Sequence, residues 1–375
     1  MTPDSAAVPL GEAMPLAAVE RQLASARQDP ARAHQTATHN LICRVRDAAE
    51  AEALLPRLAV IARHHPGRIL VLAPAPEAAG NDHDWRARIA QAPAAAGNDH
   101  ELEPAAAPGH DNEIVVLDSG GAALVSAAAA ASPLLRPDLP VFLWWRGGNP
   151  IGDRGFEELA ALADRCFIDS QALNLPPEQL AAYARLQAEC ARRFRLTDLA
   201  WTRLTPWRQL LAQAFDGRET RPCLDRLTEV ALTSRCGQPA INGGAVLLAG
   251  WLAAALNWKP QARTGPLELH LAMPRGGTVR LAFAATESGS SRALLHRVEL
   301  SAGDELRVSV HQESGRVVLD LSGAAVAARS GGEFRNPEEV DLVCQEMDLL
   351  GPDLLFYQAL DRGLEVLRAL EMEAR

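Results

Sequence analysis

His64 and His65, in the run HHPGR, carry the one side chain whose ordinary pKa allows acid–base exchange near neutral pH. Neither a carboxylate nor a nucleophile shares their loop, so the pair reads first as a polar turn. Gly120 and Gly121, between a strand and a helix, would let backbone amides approach an anion, and a tight turn calls for the same glycines. His83, His100 and His110 stand beside acidic residues in a tract where AAGNDH occurs twice. That composition suits metal binding, or a hydrophilic insertion with too few apolar residues to offset ordering entropy. The first strand runs on into DAAEAE rather than a G-x-G-x-x-G turn, and no G-x-x-x-x-G-K-[ST], G-x-S-x-G or H-E-x-x-H exists. The six cysteines, Cys43, Cys166, Cys190, Cys223, Cys236 and Cys344, form neither a C-x-x-C pair nor a zinc-ligand spacing, which fits a reducing, cytoplasmic setting. The motifs therefore predict no catalytic residue, no cofactor and no metal.

Tryptophan beside arginine is the more informative pattern. In LTDLAWTRLTPWRQLLAQAFD, residues 196–216, Thr197 and Thr205 are candidate helix caps and Pro206 suits a helix start. From there Trp207, Leu210, Leu211, Ala214 and Phe215 fall on one helical face. Such a stripe needs a partner surface, in this chain or another. Trp201 with Arg203 and Trp207 with Arg208 have the composition of protein-binding hot spots, and the same tryptophans suit a core. Trp201, Arg203, Trp207 and Arg208 are the candidate partner-binding residues.

The elements that must position these residues follow from periodicity. Residues 1–36 read as an N-terminal extension. From 37 to 172 strand-like and helix-like runs alternate (NLICRVR, AEALLPRLAVIAR, RILVLAP, EIVVLDSG, DLPVFLWWRG, GFEELAALADR, CFIDS), which predicts a mostly parallel, Rossmann-like α/β domain with a low-complexity insertion at 74–112. Residues 173–262 read as a helical region that includes RPCLDRLTEVALTSR and the uncharged GGAVLLAGWLAAALNW. Beyond it, 263–375 shows five period-two runs and closing helices, predicting an α+β domain with an antiparallel meander.

Bulk properties narrow the function. A net charge of -10 argues against binding a phosphate backbone, so nucleic acid is not an expected partner. The first residues lack the basic and apolar regions of a secretory signal, and the apolar run within 238–258 falls short of the roughly 20 residues of a membrane span, so no membrane partner is expected.

DLPVFLWWRG at 138–147 and TDLAWTRLTPWRQLL at 197–211 resemble the signature of the OpcA family, the glucose-6-phosphate dehydrogenase assembly proteins. NLICRV, HPGRILVL, ADRCFIDS and LLAGWLAAAL extend the resemblance from about residue 37 to 258, with a weaker echo in the C-terminal sheet. The resemblance implies a non-catalytic partner and activator of glucose-6-phosphate dehydrogenase, serving the oxidative pentose phosphate pathway. For cyanobacterial members it further implies a redox link to thioredoxin. Redox control would require a responsive cysteine, and Cys344, ahead of the last helix, is the candidate. Two other classes stay open: a sugar-phosphate-binding α/β enzyme using the carboxyl edge of the parallel sheet, and a general protein-interaction scaffold.

Overall fold

In the computed structural model, residues 8–27, 37–74, 85–90, 113–119, 126–171, 179, 182–183, 186, 195–235, 241–286, 294–324, 326, 329–349 and 351–371 are described. The chain divides into two compact units. One comprises residues 1–168, 190–196 and 343–348; the other comprises 169–189, 197–342 and 349–375.

The first unit begins with β1 (Met14–Pro15) and α1 (Leu16–Arg27), whose Val19 and Leu23 are buried. Then come β2 (His39–Arg44), α2 (Ala48–His64), β3 (Gly67–Ala73), β4 (Trp85–Ala90), β5 (Glu113–Ser119), α3 (Ala127–Ala131), β6 (Val141–Trp145), α4 (Arg154–Ala160) and β7 (Arg165–Ile168). β8 (Arg195–Asp198) ends the sheet, whose order is β1-β4-β5-β3-β2-β6-β7-β8. β2, β3, β5, β6 and β7 pair in parallel, while β4 and β1 add antiparallel at one edge. Every residue of β3 is buried, as expected of a parallel strand covered on both faces. Counted along the chain, the five parallel strands lie in the order third, second, first, fourth, fifth. Strand order thus reverses between β2 and β6, and the crevice at their carboxyl ends is where ligands bind in this architecture.

One expectation fails here: the stretch 74–112 is not wholly an insertion outside the fold. β4 lies within it, with Trp85, Ala87 and Ala90 buried. The alternation W-R-A-R-I-A supports a strand, but its short length is lost among flanking prolines and glycines.

The second unit contains α5 (Leu199–Arg203), α6 (Thr205–Ala214), a 3-10 turn at Arg221–Arg226, β9 (Glu229–Arg235) and α7 (Gly243–Ala255). β10 (Lys259–Gly265), β11 (Glu268–Ala272), β12 (Thr278–Thr286), β13 (Leu294–Ala302), β14 (Leu306–Glu313), β15 (Arg316–Ser322) and β16 (Arg329–Arg335) follow, then α8 (Glu339–Asp348), whose residues from 343 on belong to the first unit, and α9 (Leu354–Glu371). Their sheet runs β10-β11-β12-β9-β13-β14-β15-β16, mostly antiparallel.

The helical region expected over 173–262 is corrected by β9. Its E-V-A-L-T-S-R alternates buried and half-buried residues, and it inserts between β12, to which it is parallel, and β13, to which it is antiparallel. The expected meander is therefore broken at its centre. α7 is shorter than a membrane span and buries ten of its residues, and among the described residues no helix is long and apolar enough to cross a membrane.

Candidate functional site

At the strand-order reversal of the first unit, a carboxylate of the protein itself occupies the helix start. Asp47 caps α2 by accepting a hydrogen bond from the Glu50 amide at 2.8 Å. Glu50 reaches back and accepts from the Arg46 amide at 2.8 Å and from Arg46 Nε at 3.0 Å. Its other oxygen takes Arg146 Nε at 3.1 Å and Nη2 at 2.9 Å. Burial pushes the Glu50 carboxyl up, but these donors and the Arg146 charge outweigh it and leave the pKa below its ordinary value. A dinucleotide pyrophosphate would need this helix N-terminus and a glycine turn before it. Here the sequence is Arg44-Val45-Arg46-Asp47, without a glycine turn, and carboxylates of the protein take the Arg46 and Glu50 amides, so the residues present do not fit that cofactor.

Beside this network the Arg44 guanidinium lies 4.8 Å from the Trp145 ring centre, and Arg146 lies 4.7 Å from that of Trp144. Trp145 Nε1 donates to the Gly148 carbonyl at 2.9 Å, and the Arg146 amide donates to the Arg44 carbonyl at 2.9 Å, which pins the loop after β6. Gly147 packs so closely on Arg44 that a Cβ there would collide with the guanidinium.

In the second unit, Trp201 and Trp207 are only 1% and 2% exposed. Trp201 Nε1 donates to Asp353 at 2.6 Å, and Arg208 stacks 3.6 Å from the Trp201 ring centre. Arg203 is clamped by Asp169, at 3.2 and 2.7 Å, and by the Gln171 side-chain oxygen at 2.6 Å. The stripe formed by Trp207, Leu210, Leu211, Ala214 and Phe215 is buried within the unit. The structure thus gathers all four candidate partner-binding residues into one region but turns both tryptophans inward. The expected caps also shift. Asp198 rather than Thr197 caps α5, accepting from the Ala200 amide at 2.9 Å, while Leu204 precedes α6 with Thr205 as its first residue. A short carboxylate one position closer to the helix reaches the amide better than the threonine.

Leu354 and Leu355 escaped the sequence reading. They are 65% and 55% exposed at the start of α9, next to Asp353, which both caps that helix and holds Trp201. The doubled leucines of GPDLLFYQAL were the available signal.

His64 is exposed, whereas His65 ends α2 with its Nε2 at 3.7 Å from Asp348. Gly120, Gly121, His83, His100, His110, Cys190 and Cys236 lie outside the described residues. Cys43, Cys166, Cys223 and Cys344 are thiols, and Cys344 is half-buried on α8. No group of three or more metal-ligating side chains assembles among the described residues.

Residues 59–185 match a family described as the glucose-6-phosphate dehydrogenase subunit N-terminal domain, and residues 195–360 match its C-terminal domain. A Nostoc punctiforme protein provisionally named OxPP cycle protein OpcA is 32% identical over 81% of this chain and 66% of its own length. A Synechocystis protein of the same name is 29% identical over 56% of this chain and 42% of its own length. The chain therefore spans less than two thirds of these relatives. An NAD binding oxidoreductase from Klebsiella pneumoniae is 11% identical, with a TM-score of 0.43 over 89% of this chain and 97% of its own, a likeness too low to bear on function. Matched in order by both domains and by curated proteins from three cyanobacteria, the chain belongs to the OpcA family.

Proposed function

We propose that this protein is a non-catalytic, cytoplasmic assembly factor and allosteric activator of glucose-6-phosphate dehydrogenase, supporting the oxidative pentose phosphate pathway. The paired match to the two dehydrogenase-subunit domains, in chain order, carries this reading. The α2 start, with no glycine turn and with carboxylates on the Arg46 and Glu50 amides, supports a role without dinucleotide chemistry. The protein acts by preferring the dehydrogenase's active conformation or oligomer. A differential affinity of about 1–3 kcal/mol would change apparent substrate affinity about 5- to 150-fold.

The docking surface we favour is in the second unit, around Arg203, Arg208 and the exposed Leu354 and Leu355, with Trp201 and Trp207 as its rigid support. Buried aromatics backing an arginine and an apolar rim are the make-up of a binding hot spot. The half-buried Cys344 thiol is the proposed redox-responsive group, with thioredoxin as its reductant.

Dehydrogenase kinetics and oligomer size, measured with and without the protein under reducing and oxidising conditions, test the proposal. A lowered KM or a larger dehydrogenase oligomer is the expected result. No change in either removes the proposal, and an unaltered redox response in Cys344→Ser removes that cysteine from it.

A further inference from the structure

The strand-order reversal of the first unit brings three arginines to one carboxylate, Arg44, Arg46 and Arg146, and they differ in how they meet it. Arg46 and Arg146 share the Glu50 carboxylate. Arg44, whose guanidinium feels the same carboxylate, makes no side-chain hydrogen bond or ion pair among the described residues. Its Nε and Nη1 are enclosed without an acceptor, and its guanidinium packs on the face of Trp145 and against Gly147. The carboxylates that act on it, Asp153 and Glu50, each hold other donors, Glu50 as above and one Asp153 oxygen the Phe156 amide at 2.9 Å. Burial accordingly holds the Arg44 pKa below its ordinary value, against the pull of Asp153 and Glu50.

An enclosed guanidinium whose donors lack an acceptor is costly, more so than a neutral group in the same position. The protein nonetheless fixes Arg44 at this point, wedged between Trp145 and Gly147. On the loop that follows β6, the amides of Gly147 and Gly148 enter no hydrogen bond among the described residues, and both glycines are partly accessible. Arg46 is 69% exposed at the lip, so part of its guanidinium faces solvent. Guanidinium and consecutive backbone amides are the donor set that recognises a tetrahedral oxyanion, and the carboxyl edge at a strand-order reversal is where open α/β sheets take ligands.

We propose that this crevice binds a phosphate dianion, either free or as the phosphomonoester of a small metabolite, with Arg44 as the principal cation and Arg46 and the Gly147 and Gly148 amides completing the donor set. A dinucleotide is not the ligand, because no glycine turn precedes α2 and carboxylates of the protein take the Arg46 and Glu50 amides. The inference concerns the first unit alone and stands or falls separately from the proposed dehydrogenase partner.

Calorimetric titration and thermal unfolding of the full chain test it, with inorganic phosphate, glucose 6-phosphate and glucose as probes at ionic strength held constant with chloride. Saturable binding of a phosphorylated probe, absent for glucose, is expected. Tighter binding of glucose 6-phosphate assigns a phosphomonoester, and equal or tighter binding of inorganic phosphate assigns the free ion. Arg44→Lys, which retains charge but loses the fork of donors, should weaken binding about tenfold or more. Arg46→Gln changes an exposed side chain, leaves folding intact and should weaken binding several-fold. Absence of saturable binding, a response matched by chloride alone, or titration of both variants like the wild type would overturn the assignment.

Discussion

Asp198 and His39 are both buried, and burial moves their pKa values in opposite directions. Asp198 is fully enclosed, and desolvation with the nearby Asp169 charge raises its pKa to about 6. His39, also desolvated and next to His65, falls to about 4. The raised carboxyl favours folding most below its unfolded value near 3.8, and that contribution disappears as pH rises through about 6. The lowered imidazole works the other way: its contribution is complete above about 6.5 and is lost as pH falls toward 4. Between pH 4 and 6 the two slopes oppose each other, so denaturant unfolding should reveal each only when the other is removed. Asp198→Asn keeps an oxygen for the Ser170 and Ala200 amides, and its stability should rise with pH across this window. His39→Leu should instead become less stable as pH rises, each change being on the order of 2–3 kcal/mol. Identical pH profiles for both variants and the wild type would mean that neither group titrates as described. None of this was legible in the sequence, where Asp198 is one of many acids and His39 merely precedes a strand. Likewise, the bond from Trp201 to Asp353 joins residues 152 positions apart, a separation that no local pattern encodes.

At the scale of elements, α7 and α9 pack face to face through glycines. A Cβ on Gly250 would strike the Ala359 carbonyl and the Gly363 backbone, neither of which can move aside. A Cβ on Gly363 would meet a side-chain methyl of Val246 at 2.9 Å and its carbonyl at 3.0 Å, and only the methyl can give way. Overpacking of this kind costs about 1–3 kcal/mol. Gly250→Ala should therefore lower the thermal midpoint by several degrees and Gly363→Ala by less, as read by circular dichroism. Equal midpoints would show that the helices separate without strain. The apolar character of α7 was plain from GGAVLLAGWLAAALNW, as was the parallel sheet from its alternating runs. β9 was not. Leu224, Leu227 and Val230 fit a helical period in RPCLDRLTEVALTSR, and Val230, Leu232 and Ser234 fit a strand equally well. Its pairing partners, β12 and β13, lie tens of residues ahead, and that long-range pairing decides the matter.

For the whole molecule, the decisive question is whether activation of the dehydrogenase runs through the surface beside Trp201. Two classes of substitution separate support from contact. Trp201→Phe removes the bond to Asp353 and weakens the stack with Arg208, so stability and activation should decline together. Leu354→Ser with Leu355→Ser removes apolar surface that is already in water, and such changes usually stay within about 0.5 kcal/mol in stability. This double variant should keep the wild-type thermal midpoint yet require at least about tenfold more protein for half-maximal activation, which corresponds to about 1.4 kcal/mol of binding from the pair. Activation at wild-type concentrations would place the contact on another surface while leaving the family assignment untouched. A fall in midpoint along with activation would instead show that the start of α9 depends on those leucines for its own packing. Of the three outcomes, only the first makes the region around Arg203 and Arg208 an interface rather than a well-packed corner of the second unit.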